Sequence, residues 1–286
     1  MKINTILPDK HKYLQMIGAI AQVPKRLYII GTLPLVRIPT VAIVGTRRPT
    51  QYGKQVTFDL AYKLAQRGIV VVSGLAYGID AAAHAGALEG GGRTIAIMAH
   101  GLDAVYPKGN RTLAEKIIAY RGALISEYPE NTPVMKHQFL ARNRLVSAVA
   151  DAVIVTEAGQ RSGTLSTITH ALEQGKEVFA VPGAITSPQS VGPNNLLKQG
   201  AHPVTSVDDV LAVIAPHLIT TPQMAPTGGT PEETLILALL HQGISHGEAL
   251  QTAAALDAPV FFQTMTVLEI DGRIRALGAN NWALSS

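Results

Sequence analysis

The 286-residue sequence contains no cysteine, which excludes disulfide bonds, cysteine metal ligands and thiol nucleophiles. Aromatic residues make up only 5% of the chain and charged residues only 15%. No window approaches the roughly 20 uninterrupted apolar residues of a membrane-spanning helix. The N-terminus lacks the basic start and apolar run of a secretory signal. We therefore expect a soluble protein of a reducing compartment, the cytoplasm.

The residues that are present fit a globular protein of one or two domains, because 47% of them are hydrophobic. The formal net charge of +4 is unevenly distributed. Residues 231–286 contain two arginines, no lysine and six acidic side chains, so they carry −4 and residues 1–230 carry +8. A polyanionic partner is therefore expected to bind the first part of the chain.

Between residue 27 and about residue 214, short apolar segments rich in β-formers alternate with helical patterns. The predicted strands are residues 27–31, 41–45, 69–74, 94–99, 123–129, 152–158 and 177–183. The predicted helices include residues 51–67, 110–120 (with Asn110 as the N-cap) and 163–174. Continuously apolar strands that alternate with helices indicate βαβ units, so we predict an α/β fold with a doubly wound, mostly parallel sheet.

The C-terminal part of the sequence has a different organisation. Residues 216–231 contain four prolines and two glycines, a linker composition. Three helical segments follow, the second with Ser245 as its cap, and then a hairpin with its turn at 278–280. Three helices and a hairpin are typical of a winged helix. The predicted organisation is a first domain at 1–218, a linker at 219–230 and a small winged-helix domain at 231–286.

The segment GTRRPTQYG at residues 45–53 follows a predicted strand and precedes a predicted helix. Backbone amides at a helix N-terminus bind phosphate well, and Arg47 and Arg48 add bidentate donors. The segment matches neither G-x-G-x-x-G nor the G-K-[ST] loop, which argues against dinucleotide and nucleoside triphosphate sites. These residues alone support a phosphate site and an ordinary turn with two surface arginines about equally.

Three polar residues near predicted strand ends are candidates for a site. Asp80 and His84 lie four residues apart on one helical face, where they can form a pair or half of a metal site. Since no third ligand is nearby, a structural hydrogen bond is the favoured interpretation. His100 ends a predicted strand and can face a cleft, but the sequence shows no partner for it.

The segment KHQFLARNRLVSAVA at residues 136–150 places Lys136, Arg142 and Arg144 around the aromatic residue Phe139. Basic side chains beside an exposed ring are the components of a single-strand site, in which charge follows the backbone and the ring stacks on a base. The alternative is a helix with a solvated basic face and a phenylalanine in the core. For Phe139 taken alone, the core position is favoured.

In residues 156–175, Gly163 and Thr164 open a helix after a strand, another position that suits a phosphate. The segment resembles the P-G-G-x-G-T-x-x-E motif of nucleotide-hydrolysing lysine-decarboxylase-like proteins, but Thr167 stands where that motif has its glutamate. The sequence also contains no G-x-S-x-G or H-E-x-x-H motif. We therefore expect no enzymatic activity, no metal and no cofactor.

Together these segments, in this order, resemble the DNA-processing protein A (DprA/Smf) family. Further similar segments lie at 101–113, 125–129, 139–146, 162–165, 177–185 and 194–201. The resemblance covers residues 27–214, and the C-terminal segment fits the winged helix of the family. Two differences stand out. The helical N-terminal module of many members is expected to be missing, since about 26 residues precede the first predicted strand, and His100 replaces a usually small residue.

The resemblance implies an extended Rossmann-like domain that forms a homodimer and binds single-stranded DNA during natural transformation and recombination. It implies that the protein protects the incoming strand and loads the RecA recombinase onto it. The predicted DNA-binding residues are Gly45, Thr46, Arg47, Arg48, Lys136, Phe139, Arg142, Arg144, Ser162 and Gly163.

Two other functions stay open at this point. One is a nucleotide or nucleoside-phosphate hydrolase on the same fold, against which Thr167 argues. The other is a transcription regulator that reads duplex DNA through the winged helix. Its third helical segment, residues 258–272, contains no lysine or arginine, and the domain is acidic, so docking of a partner or self-association is the favoured role of that domain.

Overall fold

The structure is a computed structural model that describes residues 2–160, 162–219, 228–241 and 243–285. The chain divides into two compact units, Met1–Ile219 and Thr220–Ser286, and each is described by itself. Most of the predicted linker, residues 220–227, lies outside the described residues.

The first unit contains a nine-stranded sheet in the order β1-β2-β6-β5-β4-β3-β7-β8-β9. The strands are β1 Asn4–Ile6, β2 Leu27–Gly31, β3 Thr40–Val44, β4 Val70–Ser73, β5 Thr94–Met98, β6 Ala123–Ser126, β7 Ala152–Val155, β8 Glu177–Ala180 and β9 His202–Pro203. The seven strands from β6 to β9 in that order are parallel, whereas β2 runs antiparallel to β6 and β1 antiparallel to β2. The predicted mostly parallel sheet is therefore confirmed.

All seven predicted strands are present, as β2 to β8. The prediction that the first strand begins at residue 27 is wrong, because β1 pairs with β2 through residues 4–6. Between β1 and β2 the chain forms two short 3₁₀ segments, at Pro8–Lys10 and Lys12–Ala19, and the second buries Tyr13, Leu14 and Ile17 against the sheet. The N-terminal segment is thus part of the first unit's core.

In the described part of the first unit, seven α-helices accompany the sheet. They are α1 Gln51–Gln66, α2 Ile79–Glu89, α3 Arg111–Ala119, α4 Lys136–Val149, α5 Thr164–Glu173, α6 Val191–Lys198 and α7 Val207–Ile214. The first helix begins after Thr50, whose hydroxyl oxygen accepts a hydrogen bond from the Gly53 amide at 3.1 Å. Asn110 occupies the predicted N-cap position of α3, but its side chain makes no capping hydrogen bond: its Nδ2 donates to the carbonyl of Leu75 at 2.9 Å.

Both faces of the sheet are covered, which explains why its strands are continuously apolar. Along β3, Val41 and Ile43 are buried in one cluster with residues of α1, α2 and α7. Ala42 and Val44 point to the opposite face and belong to a second cluster, with residues of α4 and α5. The alternation of side chains along one strand therefore fills two separate cores, as a doubly wound sheet requires.

The order of the strands creates a switch point. The chain proceeds from β3 through β4 and β5 to β6 on one side, and α4 then returns it to β7 on the other side of β3. Loops that leave β3 and β7 at their carboxyl ends therefore diverge and open a crevice, which is where ligands bind in sheets of this type.

Among its described residues, the second unit contains three helices and one hairpin. They are α8 Pro231–His241, α9 Gly247–Ala254, α10 Ala258–Ile270, β10 Ile274–Gly278 and β11 Asn281–Leu284. The hairpin turn lies where it was predicted, and Ala279 and Asn280 have positive φ there. The predicted cap Ser245 is wrong by one position: its carbonyl accepts from the Trp282 amide at 2.9 Å, and α9 starts after His246.

The core of the second unit is formed by apolar residues of all three helices and the first hairpin strand, among them Leu237, Leu250, Phe261, Leu268 and Ile274. Within the described part of the chain, no single helix is long and apolar enough to cross a membrane. The pair α9 and α10 reaches that length and hydropathy only together, and it is bent by 116°.

Candidate nucleic-acid site at the switch point

A cleft with a volume of about 280 Å³ lies at the carboxyl ends of β3, β4 and β7. It is lined by residues 44–47, Gly74, Ala76, Asp80, Phe139, Leu140, Arg142, Asn143, Val146, residues 162–164 and Thr167. The loop after β3 forms one wall, the start of α5 forms another, and α4 contributes the side chains between them. The cleft therefore occupies the switch point of the sheet.

The loop after β3 is held by a buried carboxylate that sequence analysis did not identify. Glu157, which follows β7 and is 1% exposed, accepts hydrogen bonds from the Thr50 amide at 2.8 Å and the Thr50 hydroxyl at 2.5 Å. Its backbone carbonyl accepts from the Thr46 amide at 2.7 Å. A Cβ at Gly53 would collide with the Glu157 side chain, so glycine leaves the space it needs.

This arrangement changes the role predicted for the N-terminus of α1. The carboxylate of Glu157 already lies there, where a negative charge is favoured by the helix dipole. The negative charge that the N-terminus of α1 favours is thus supplied by the protein itself. The part of the loop that faces the cleft is Gly45, Thr46 and Arg47.

Arg142 lies at the base of the cleft and is only 4% exposed. Its guanidinium donates to the carbonyl of Ile97 and lies against Gly74, where a Cβ would collide with it. The neighbouring Asp80 accepts from the amides of Gly74 at 3.1 Å and Ala76 at 3.3 Å. Burial raises the pKa of Asp80, and the attraction of Arg142 opposes that rise. Burial also disfavours the charged form of Arg142 and therefore lowers its pKa. Asp80 fixes the loop after β4 through these two amide hydrogen bonds, and Arg142 fills the bottom of the cleft against the same loop.

A row of aromatic contacts begins at Phe139, which lines the cleft. The Arg47 guanidinium lies over the ring of Phe139, 5.1 Å from its centroid. The Phe139 ring lies 5.8 Å from the ring of Tyr106, and Tyr106 lies 6.3 Å from the His100 ring in an edge-on arrangement. Arg47 is exposed and Phe139 is partly buried. A cation and a ring thus stand together at the mouth of the cleft.

The predicted DNA-binding residues fall into three groups. Gly45, Thr46, Arg47, Phe139, Arg142, Ser162 and Gly163 line the cleft. Arg48 and Lys136 are exposed but do not line it. Arg144 forms an ion pair with Glu127 at 2.6 Å and donates to the carbonyl of Gln22 at 3.1 Å, with both charged side chains largely buried. The structure therefore places Arg144 in a contact between α4 and the N-terminal segment.

Asp80 and His84 do not bond to each other, and each makes structural hydrogen bonds with other groups, the interpretation that the sequence favoured. His84 is fully buried, and its Nδ1 lies 2.6 Å from the Thr94 hydroxyl oxygen. Since that hydroxyl donates its proton to the carbonyl of Val71, the His84 Nδ1 is the donor toward Thr94. Burial lowers the pKa of His84 to about 3. Over the described ranges, no cluster of three or more metal-ligating side chains occurs.

Two residues of the α4–α5 region complete the site. Asn143 donates from Nδ2 to the Ser166 hydroxyl at 2.8 Å and to the Gly163 carbonyl at 3.3 Å, which fixes the start of α5 against α4. Thr167 is 2% exposed and lines the cleft where the hydrolase motif has its glutamate. Asn143 was not predicted, although it follows Arg142 directly in the basic segment.

Comparisons with known proteins relate both the sequence and the fold to one family. A family model described as DNA recombination-mediator protein A matches residues 4–215. A Mycobacterium tuberculosis protein that carries the name DNA processing protein DprA is 46% identical over 193 residues, which are 67% of this chain and 49% of that protein. The match thus spans about half of that relative.

Solved structures with a similar fold include two of DNA processing protein A. DNA processing protein A from Streptococcus pneumoniae is 38% identical, with a TM-score of 0.70 over 75% of each chain. DNA processing protein A from Helicobacter pylori is 35% identical, with a TM-score of 0.65 over 74% of this chain and 95% of that chain. The Helicobacter structure is described for its single-stranded DNA binding mode.

Proposed function

This chain belongs to the DNA recombination-mediator protein A (DprA/Smf) family, and on that premise we propose that it binds single-stranded DNA in the cleft at the switch point. One observation carries the proposal: Arg47 and Phe139, from different elements, meet over the mouth of a cleft whose base contains Arg142. A cation that contacts phosphate and a ring that stacks on bases are the two parts of a single-strand site.

The dimensions and charge of the cleft favour single strands over duplexes. A volume of about 280 Å³ admits a segment of flexible backbone and excludes a stiff double helix. The charge of +8 on residues 1–230 supplies the sequence-independent part of the attraction. Because contacts to phosphate carry no base information, the preference for sequence is expected to be small.

We extend the proposal to the role of the bound strand. The protein protects incoming single-stranded DNA during natural transformation and loads RecA onto it in the cytoplasm, without itself being an enzyme. A homodimer through the first unit presents two clefts to one strand, which raises the avidity. Thr167, in place of the glutamate of the hydrolase motif, supports binding without turnover.

The second unit is proposed to be a winged helix that docks a protein partner or a second copy of the chain. The order of three helices and one hairpin supports this assignment. Helix α10 contains no lysine or arginine, and residues 231–286 carry a net charge of −4. Duplex DNA is therefore an unfavourable ligand for this unit.

The test is fluorescence anisotropy with a labelled single strand, the corresponding duplex and single-stranded RNA. We expect clear binding of the DNA single strand and much weaker binding of the duplex. Equal affinity for the duplex contradicts the proposal. Arg47→Ala should weaken binding of all sequences and reduce the slope of log affinity against log salt by about 0.7.

Two further variants sharpen this test. The double variant Arg47→Ala/Lys136→Ala should bind still more weakly with a shallower slope, because Lys136 lies exposed at the start of α4. Lys116→Ala is the matched control, since Lys116 is also exposed but lies in the last turn of α3. Unchanged affinity and slope in a folded double variant would remove the cleft as the DNA site.

A further inference from the structure

We propose that Tyr106, which follows β5, is a base-stacking residue of the single-strand site and holds the nucleobase next to the phosphate bound by Arg47. The inference rests on the proposed function and adds a residue, outside the lining of the cleft, that the motifs did not indicate. The ligand of Tyr106 in this proposal is an unpaired nucleobase of a DNA strand.

The ring of Phe139 is already partly covered by the protein. Phe139 is partly buried, and the Arg47 guanidinium covers it at 5.1 Å from the centroid. Because the Arg47 guanidinium already covers part of this ring, Phe139 alone offers a base a limited stacking surface. The Tyr106 ring, 5.8 Å from Phe139 and tilted by 59°, continues the aromatic surface beyond the part that Arg47 occupies.

Exposure distinguishes the two rings further. Tyr106 is 44% exposed, although its ring lies beside Phe139 on one side and edge-on to His100 on another. His100 itself is 1% exposed. Tyr106 thus stands on a buried support and presents apolar ring surface to solvent, which is how stacking residues bind bases without reading their sequence.

The loop that carries Tyr106 is fixed at several points, so the ring is positioned before DNA arrives. The Ser126 hydroxyl donates to the carbonyl of His100 at 2.7 Å, and the Gly101 amide donates to the carbonyl of Thr132 at 3.3 Å. On the other side of Tyr106, Asn110 donates to the carbonyl of Leu75 at 2.9 Å, which ties the loop to the one after β4. A ring held in advance loses little conformational entropy on binding.

Within the described residues, the Tyr106 hydroxyl has no hydrogen-bond partner. Removing the hydroxyl therefore leaves the ring and its support unchanged, whereas removing the ring eliminates the stacking surface. This makes Tyr106→Phe and Tyr106→Ala a matched pair, and Tyr120→Ala is a further control, because Tyr120 is 60% exposed at the end of α3.

The experiment compares an oligothymidine with an oligonucleotide of equal length whose residues are abasic, by fluorescence anisotropy on each folded variant. Wild type should bind the oligothymidine more tightly than the abasic strand. Tyr106→Ala should lose about tenfold in affinity for the oligothymidine, equivalent to about 1.4 kcal/mol, and nothing further for the abasic strand. Tyr106→Phe and Tyr120→Ala should stay within about twofold of wild type, since neither removes a stacking contact.

A spectroscopic variant provides a second measurement. In a Trp282→Phe background, which removes the single tryptophan of the chain, Tyr106→Trp should lose fluorescence on adding oligothymidine and not on adding the abasic strand. Unchanged affinity in Tyr106→Ala, an equal loss for both strands, or quenching by both strands overturns the inference. If wild type binds neither strand, the proposed function itself fails. If it binds both equally and Arg47→Ala weakens both, only the stacking inference fails.

Discussion

Gly74 and Arg142 interlock at the base of the cleft, because the Arg142 guanidinium occupies the space that a Cβ on Gly74 would need. Gly74→Ala should therefore displace Arg142 from its contact with the carbonyl of Ile97 and lower the free energy of unfolding by about 1–3 kcal/mol. Affinity for single-stranded DNA should fall as well, since the Gly74 amide also binds Asp80. Urea unfolding and fluorescence anisotropy measure the two effects.

Gly18→Ala is the control for this substitution, because a Cβ there meets no atom within 4 Å. It should change the free energy of unfolding by less than about 0.5 kcal/mol. A Gly74→Ala variant as stable as Gly18→Ala contradicts the interlock.

Alanine substitutions of Arg144 and Arg47 should have different effects on stability and on the salt dependence of DNA binding. Arg144→Ala breaks the largely buried ion pair with Glu127 and should lower the free energy of unfolding by about 1–3 kcal/mol. It should leave the salt dependence of DNA binding unchanged, whereas Arg47→Ala should change that dependence and preserve stability. Salt titrations and urea unfolding of both variants check this. If Arg144→Ala reduces the salt slope by about 0.7, Arg144 contacts a phosphate after all.

Glu157 should act on DNA binding through the loop that it holds. Glu157→Ala removes the acceptor of both Thr50 hydrogen bonds and should lower stability by about 1–3 kcal/mol and weaken binding of single strands. Glu157→Gln keeps an acceptor oxygen and should restore most of both properties. If Glu157→Ala binds single-stranded DNA more tightly than wild type, the Glu157 carboxylate acts mainly by repelling phosphate. Anisotropy at two salt concentrations separates these outcomes.

His84 should make the protein less stable in acid. Its pKa is lowered by burial to about 3 in the folded protein, against an ordinary value of about 6.5 in the unfolded chain. Between these values the unfolded chain binds more protons, so the free energy of unfolding falls as the pH decreases. The contribution is fully present above pH 6.5, and roughly 2–3 kcal/mol of it is lost between pH 7 and pH 4.5.

Urea unfolding of wild type and His84→Leu over that interval tests the acid effect of His84. The wild-type curve should decline more steeply with decreasing pH than that of the variant, whatever their stabilities at pH 7. Parallel curves mean that His84 does not titrate in this range.

Much of the fold could be predicted because strands buried on both faces leave a continuous apolar pattern, which identified β2 to β8. The pattern could not identify β1 or β9, which have three and two residues. Whether such short segments form strands depends on their pairing with β2 and β8, and these partners are distant in sequence.

The site was predicted less completely. Phe139 and Arg142 are three residues apart and face the cleft together, whereas Arg144 is about 200° further around the helix than Arg142. Helical geometry therefore provided a signal that separates the two arginines. No local pattern indicates that Glu157 reaches Thr50, because these residues are 107 positions apart and meet only through the strand order.

The same strand order has a consequence for how binding and folding are coupled. One wall of the cleft comes from the loop after β3 and another from the start of α5, and α4 must return the chain across the sheet before they meet. No fragment of the chain that ends before β7 contains both of these walls. Single-stranded DNA bound in the cleft can therefore dissociate through unfolding only when the whole first unit unfolds. At a free DNA concentration of 100 times Kd, it should raise the free energy of unfolding of that unit by about 2.7 kcal/mol. Hydrogen exchange should then slow at the centre of the sheet, far from any contact with DNA.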